Sequence, residues 1–144
     1  MKGIILAAGK GERMGSETEN KPKCMIKYKG KAIIDYIIQT FNECGINDII
    51  IVNGYKKEIL EQYLDGKNIN FITNKNYNTT NMLYSLFCAE SQINDDLIIS
   101  YSDIIYNNKV LKKLINNKMD IAITVDKAWC ELWQIRMEDP LQDA

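Results

Sequence analysis

LAAGKGERMG, residues 6–15, closes an apolar run that begins at Gly3 and sets three glycines, a lysine and an arginine within seven residues. A simple turn between two elements needs far less. Two common phosphate-binding loops can be tested against this spelling. The dinucleotide fingerprint requires a third glycine three residues after the second, opening a helix directly. Gly9 and Gly11 fit it, but Met14 stands in the third place, and the polar stretch Ser16–Lys23 with its Pro22 reads as non-helical. The P-loop requires Gly-Lys-Ser/Thr five residues after its first glycine, and that is absent. What remains is a loop whose glycines admit an anion to backbone amides, with Lys10 and Arg13 beside them. Arginine is rare here: sixteen lysines accompany only Arg13 and Arg136. A guanidinium in this loop therefore stands out, and it suits bidentate phosphate contact.

Working outward from the loop, four runs read as buried parallel strands: Gly3–Ala8, Asp48–Asn53, Asp96–Tyr101 and Asp120–Val125. Ile69–Thr73 is a fifth, weaker run. Helical spacing predicts helices between them over Ala32–Cys44, Lys56–Leu64, Asn81–Gln92 and Lys109–Asn116, with Gly45 as a stop after the first. Strands alternating with helices predict a parallel α/β sheet with crossover connections. In such sheets ligands sit outside the C-terminal ends of the strands. The segments to search for chemistry are therefore Gly9–Lys23, Gly54–Tyr55, Asn74–Asn81, Ser102–Asn107 and Asp126–Arg136.

Composition narrows the chemistry. A chain of 144 residues is the size of one domain, and a net charge of −1 gives no overall field for nucleic acid or a membrane surface. No apolar stretch approaches the roughly 20 residues that span a bilayer, and no signal peptide is evident, so a cytoplasmic protein is expected. Cys24, Cys44, Cys88 and Cys130 form no CxxC pair and read as reduced, mostly buried thiols. There is no histidine, which excludes Ser-His-Asp and Cys-His catalysis and zinc sites of the Cys/His type. Catalysis must run on carboxylates, lysines, arginine, a metal or backbone amides.

LAAGKGERMG followed by KPKCM (residues 21–25) resembles the LAAGxGxRM…PK signature of the nucleotidyltransferases, the family of sugar-nucleotide pyrophosphorylases and related cytidylyltransferases. The resemblance implies a Rossmann-like, three-layer α/β/α, mostly parallel sheet. It implies a loop, with Leu6, Ala7, Ala8, Gly9, Lys10 and Gly11, that wraps a nucleoside triphosphate. Arg13 and Lys23 would contact the phosphates as the catalytic residues.

DLIISYSDIIY (residues 96–106) ends a buried run in Asp103. A carboxylate there would lie in the ligand crevice as a natural Mg²⁺ ligand, although it would also serve as a simple cap. The family has a metal-binding aspartate after this strand, and Asp103 matches it. In NYNTTNMLYSLFCAE (residues 76–90), Thr80 and Asn81 offer polar groups at a helix N-terminus, for a nucleotide or as an N-cap alone. TNMLYSL (residues 80–86) and VNGY (residues 52–55) resemble the phosphocholine cytidylyltransferase branch more than the sugar branch, which puts Tyr55 on the substrate side. VDKAWCELWQIRMEDPLQDA (residues 125–144) sets Trp129 and Trp133 near Asp126 and Glu131. Aromatic faces beside carboxylates suit an ammonium group, and they equally suit a core or an interface. The stretch resembles cytidylyltransferases that activate phosphoglutamine for capsule decoration.

The resemblance thus implies a Mg²⁺-dependent enzyme that takes CTP and a small phosphorylated or phosphonate acceptor (phosphocholine, phosphoglutamine or aminoethylphosphonate), and releases pyrophosphate. A sugar-1-phosphate nucleotidylyltransferase using UTP or dTTP is the second reading, and a nucleotide-binding module without activity the third. Residues 1–144 are expected to form one nucleotidyltransferase domain, incomplete at its C-terminus, because family members are considerably longer. A second metal carboxylate and much of the acceptor site are expected beyond Ala144. Neither nucleic acid nor membrane is expected as a partner, and pairing into a homodimer is left open.

Overall fold

Lys2–Ala7 forms the first strand, β1, with its apolar residues covered on both faces as an unbroken run requires. A computed structural model describes residues 1–135, 137–139 and 141 of the chain. Arg136, Pro140 and residues 142–144 of the tryptophan segment lie outside the described residues. From β1 the chain runs through two short 3-10 segments, Glu12–Thr18 and Lys23–Met25, into a hairpin of β2 (Lys27–Tyr28) and β3 (Lys31–Ala32). Lys29 and Gly30 turn this hairpin at positive φ, 48° and 82°, which the tight two-residue turn demands.

Then come α1 (Ile33–Glu43), β4 (Ile49–Asn53), α2 (Lys57–Tyr63), β5 (Ile69–Thr73), α3 (Met82–Cys88), β6 (Leu97–Tyr101), α4 (Asn108–Ile115) and α5 (Trp129–Gln134). α1 stops as its glycine predicts. Gly45 sits at φ 82°, its amide bonds Asn42 O at 3.0 Å, and the Ile46 amide bonds Phe41 O at 2.9 Å. This is a Schellman cap, sealed by the buried pair Phe41 and Ile46.

Four strands form one parallel sheet in the order β5-β4-β1-β6. Alternate side chains feed opposite layers. Ile5, Ile49 and Ile51 pack with α1, α2 and α4 through Ile34, Ile37, Phe41, Leu60 and Leu111. Ile4, Ile50 and Val52 face the other way, where Ala89 and Leu86 of the α3 region cover them. The result is the parallel α/β sheet anticipated from the strand–helix alternation, in the three layers that the family resemblance implies. From β1 the chain steps outward to β4 and β5, then returns to the opposite edge as β6. The switch point of this doubly wound sheet lies between β1 and β6, and a crevice opens outside their C-terminal ends.

Two expectations are corrected. Asp120–Val125 is not a strand: β6 is the sheet edge, and Ile121, Ile123 and Val125 are 86%, 80% and 72% exposed. An apolar run becomes a strand only where a ladder partner and a covering layer exist, and among the described residues neither meets it. Glu12–Thr18, read as plain loop in its later part, is 3-10 helical with a break at Gly15 (φ 55°, ψ −129°). Trp129–Gln134, to which the sequence reading gave no element, is helical. Among the described residues no helix is long and apolar enough to cross a membrane.

Candidate functional site

The glycine loop leaves β1 at the switch point, and its glycines do different jobs. At Gly9 a Cβ would meet nothing within 4 Å, so the space above it is open to a ligand. Gly11 has φ 68°, the left-handed region that disfavours a side chain, and a Cβ there would lie 3.0 Å from Lys23 Cβ. The loop therefore folds back until Gly11 and Lys23 touch. Thr18, almost fully buried, ties the curl together: its hydroxyl lies 3.1 Å from Gly11 O and 3.3 Å from Gly15 O. Lys10 donates to Glu12 at 3.1 Å, and that bond holds its ammonium charged above the usual range.

Lys23 is aimed by its neighbours. Pro22 precedes it in extended geometry, with φ −60° and ψ 148°. Cys24 after it is buried in the core, which pushes its thiol up to about 12. A thiol so desolvated is an anchor and not a nucleophile. Fixed on both sides, Lys23 reaches Asp103 just beyond β6, and the two form an ion pair across the switch point. The pair joins residues 80 apart in sequence, and both side chains are about one-third exposed. Two residues chosen separately from sequence thus meet at the mouth of the crevice.

A cleft of about 390 Å³ opens here, with one wall drawn from the glycine loop and its return (Lys10, Gly11, Glu12, Arg13, Met14 and Lys23) and one from the loop after β5 (Tyr77 and Asn78). Cations dominate the first, and an aromatic and an amide make up the second. That distribution suits a ligand with an anionic end and a flat polar end.

The remaining predicted residues fall into place unevenly. Leu6 and Ala7 lie within the β1 ladder, with Ala7 packed in the core, so a ligand can meet them only through the strand's end. Ala8 O accepts the Tyr55 amide at 3.0 Å. The Tyr55 hydroxyl donates to Glu19 O at 2.7 Å, making this side chain a strut that pins the far end of the loop. Thr80 is engaged with Asn76 O at 2.8 Å and with Asn74 Nδ2 at 3.0 Å. Asn81 Oδ1 accepts the Tyr84 amide at 3.1 Å as the N-cap of α3. Asp126 Oδ1 accepts the Ala128 amide at 2.9 Å and opens the turn into α5, which carries Trp129 and Trp133.

Sequence reasoning missed Tyr77 and Asn78 on the wall, and Asn53 and Asn74 behind it. Both buried asparagines end strands: Asn53 bonds Glu61 and Thr73, and Asn74 braces the 74–81 loop. Asn-x-Asn at a strand end, the spelling of an Asx turn, was the available signal.

Gly54 joins the two walls. A Cβ there would lie 2.8 Å from Ala8 O and 2.8 Å from Tyr77 Cβ. Gly54→Ala is expected to cost about 1–3 kcal/mol by overpacking and to push the walls apart. Denaturant unfolding measures the first effect, and nucleotide affinity of the folded variant the second. A variant as stable as the parent would contradict this crowding.

No cluster of three or more metal-ligating side chains occurs among the described residues. That is compatible with Mg²⁺, which is commonly held by one or two carboxylates together with substrate phosphates. Asp103, at the crevice and partly exposed, fits such a role.

The MobA-like NTP transferase domain matches residues 3–135. A CTP:phosphoglutamine cytidylyltransferase of Campylobacter jejuni is 46% identical over the whole chain, which spans 60% of that protein. A choline-phosphate cytidylyltransferase of Streptococcus pneumoniae is 36% identical over 75% of the chain and 47% of its own length. The solved structure of a CTP:phosphocholine cytidylyltransferase from Streptococcus pneumoniae superposes with a TM-score of 0.68 at 34% identity, covering 75% of this chain and 49% of that one. The chain therefore spans about half to three-fifths of the relatives it matches.

Proposed function

Because the chain belongs to the MobA-like NTP transferase domain family, we propose that it carries the nucleotide-binding half of a cytidylyltransferase moving CMP from CTP to a small phosphorylated acceptor. The observation that carries this reading is the Lys23–Asp103 pair, which brings the glycine loop and the end of β6 together beside a cation-walled cleft. The 46% identity to a CTP:phosphoglutamine cytidylyltransferase supports CTP as nucleotide and a phosphorylated amine or amino acid as acceptor.

In this reading Arg13 and the loop amides around Gly9 hold the β- and γ-phosphates. An acceptor phosphate oxygen attacks the α-phosphorus in line. The new P–O bond forms as the α–β bridge breaks, and its electron pair leaves with pyrophosphate. Lys23 exchanges its carboxylate partner for the α-phosphate and offsets charge there. Asp103 would hold Mg²⁺, whose chemistry is to neutralise charge on the departing phosphates. The acceptor needs no separate base, since a phosphate monoester is mostly ionised at pH 7. Catalysis is then positioning and electrostatics, within reach of a protein that has no histidine.

A pyrophosphate-release screen tests it, pairing CTP, UTP and dTTP with phosphoglutamine, phosphocholine, aminoethylphosphonate and glucose 1-phosphate. CTP with an amine- or amino-acid-bearing acceptor is the expected productive pair. Faster release from UTP or dTTP with glucose 1-phosphate would move the protein to the sugar branch. CTP binding without release from any pair would make the chain a nucleotide-binding module.

A further inference from the structure

We infer that Asn74 is the positioning residue for the nucleoside wall of the cleft, a role that rests on the nucleotide reading above and acts through Tyr77 and Asn78. Asn74 is fully buried at the end of β5 and cannot itself touch a ligand. Its side chain nevertheless commits three bonds. Nδ2 donates to Thr80 Oγ1 at 3.0 Å and to Ser85 Oγ at 3.0 Å, and Oδ1 accepts the Asn76 amide at 2.9 Å. Its own amide donates to Asn53 O at 2.8 Å, which ties the residue to β4.

One amide group thus grips the 75–80 loop at its start and its end, and reaches into the first turn of α3. A side-chain amide carries two donors and an acceptor, and no other uncharged side chain of this size supplies all three. Between the gripped points stand Tyr77 and Asn78, which line the same cleft as the cationic glycine loop. Since the cations of the lining, Lys10, Arg13 and Lys23, all come from the other segment, the triphosphate belongs with them, and base or ribose falls to Tyr77 and Asn78. Holding that wall preformed removes an ordering cost from binding.

The loop is not hung on Asn74 alone, so its removal loosens the wall without dismantling the sheet. Thr80 Oγ1 still reaches Asn76 O at 2.8 Å, and Ser85 Oγ still reaches Asn81 O at 3.3 Å.

The test compares two ligands by calorimetry on the intact chain: CTP, which uses both walls, and inorganic tripolyphosphate, which uses the cationic wall only. In Asn74→Ala the CTP dissociation constant is expected to rise about tenfold, the cost of re-ordering one or two side chains on binding. Tripolyphosphate affinity should stay unchanged. CTP affinity unchanged in the folded variant, or both ligands weakened equally, overturns the proposal. Ser85→Ala removes one of the two Nδ2 acceptors and decides the matter if Asn74→Ala does not fold. It should weaken CTP by a smaller factor and leave tripolyphosphate alone, and an unchanged CTP constant there overturns the assignment too. A parent chain that binds neither ligand rejects the nucleotide reading itself. A parent that binds both, with a variant that does not separate them, rejects only the role of Asn74.

Discussion

Asp103→Ala is expected to lower the rate of pyrophosphate release by about 10²–10³-fold, the scale on which removing one preorganised charge-stabilising group acts. Its effect on folding should be slight. The Lys23–Asp103 pair has both side chains about one-third exposed, and exposed pairs contribute about 0–1 kcal/mol. A structural pair would lose stability and activity together, whereas a catalytic pair loses activity alone. Thermal melts beside initial rates at saturating CTP, across a Mg²⁺ titration, separate the two. Asp103→Asn keeps the shape and removes the charge, and should lose nearly as much. Turnover of either variant close to that of the parent would remove Asp103 from the mechanism.

Arg13→Ala should act on binding. Charge-assisted hydrogen bonds contribute about 1.5–3 kcal/mol each, which is roughly 10–150-fold in affinity. CTP and tripolyphosphate should weaken in parallel, because Arg13 lines the cationic wall and not the wall of Tyr77 and Asn78. Calorimetry reads both constants. CTP binding unchanged in Arg13→Ala would sink the reading of the glycine loop as a phosphate wrap.

The parts of this fold that follow from local pattern were legible. Parallel strands announce themselves as apolar runs, and β1, β4, β5 and β6 lie where such runs lie, although only β1 and β4 are covered along most of their length. The Gly45 stop was legible because a left-handed residue after a helix calls for glycine. Asp120–Val125 misled for the opposite reason: hydrophobicity records what a segment can do in a sheet, and not whether a neighbouring strand meets it. In the site, Arg13 stood out as a rare arginine in the glycine loop, Lys23 through the resemblance of the loop and its Pro-Lys to the family signature, and Asp103 as a carboxylate just past a strand end. Asn74 did not, since asparagine is common in this chain and its work is done by burial and three-dimensional reach. Tyr55 was legible as important but not in its manner. Its strut to Glu19 depends on where the loop's far end returns, which no local spacing encodes.

The crowding at Gly54 also couples the end of β1 to the loop after β5. With Ala8 O and Tyr77 closing on the glycine, and the Tyr55 amide bonded to Ala8 O, the two segments meet in one close-packed joint. Interiors packed this tightly transmit strain rather than absorb it. A displacement of the glycine loop at its root is therefore passed on to Tyr77, so the two segments that line the cleft shift as one body and not independently.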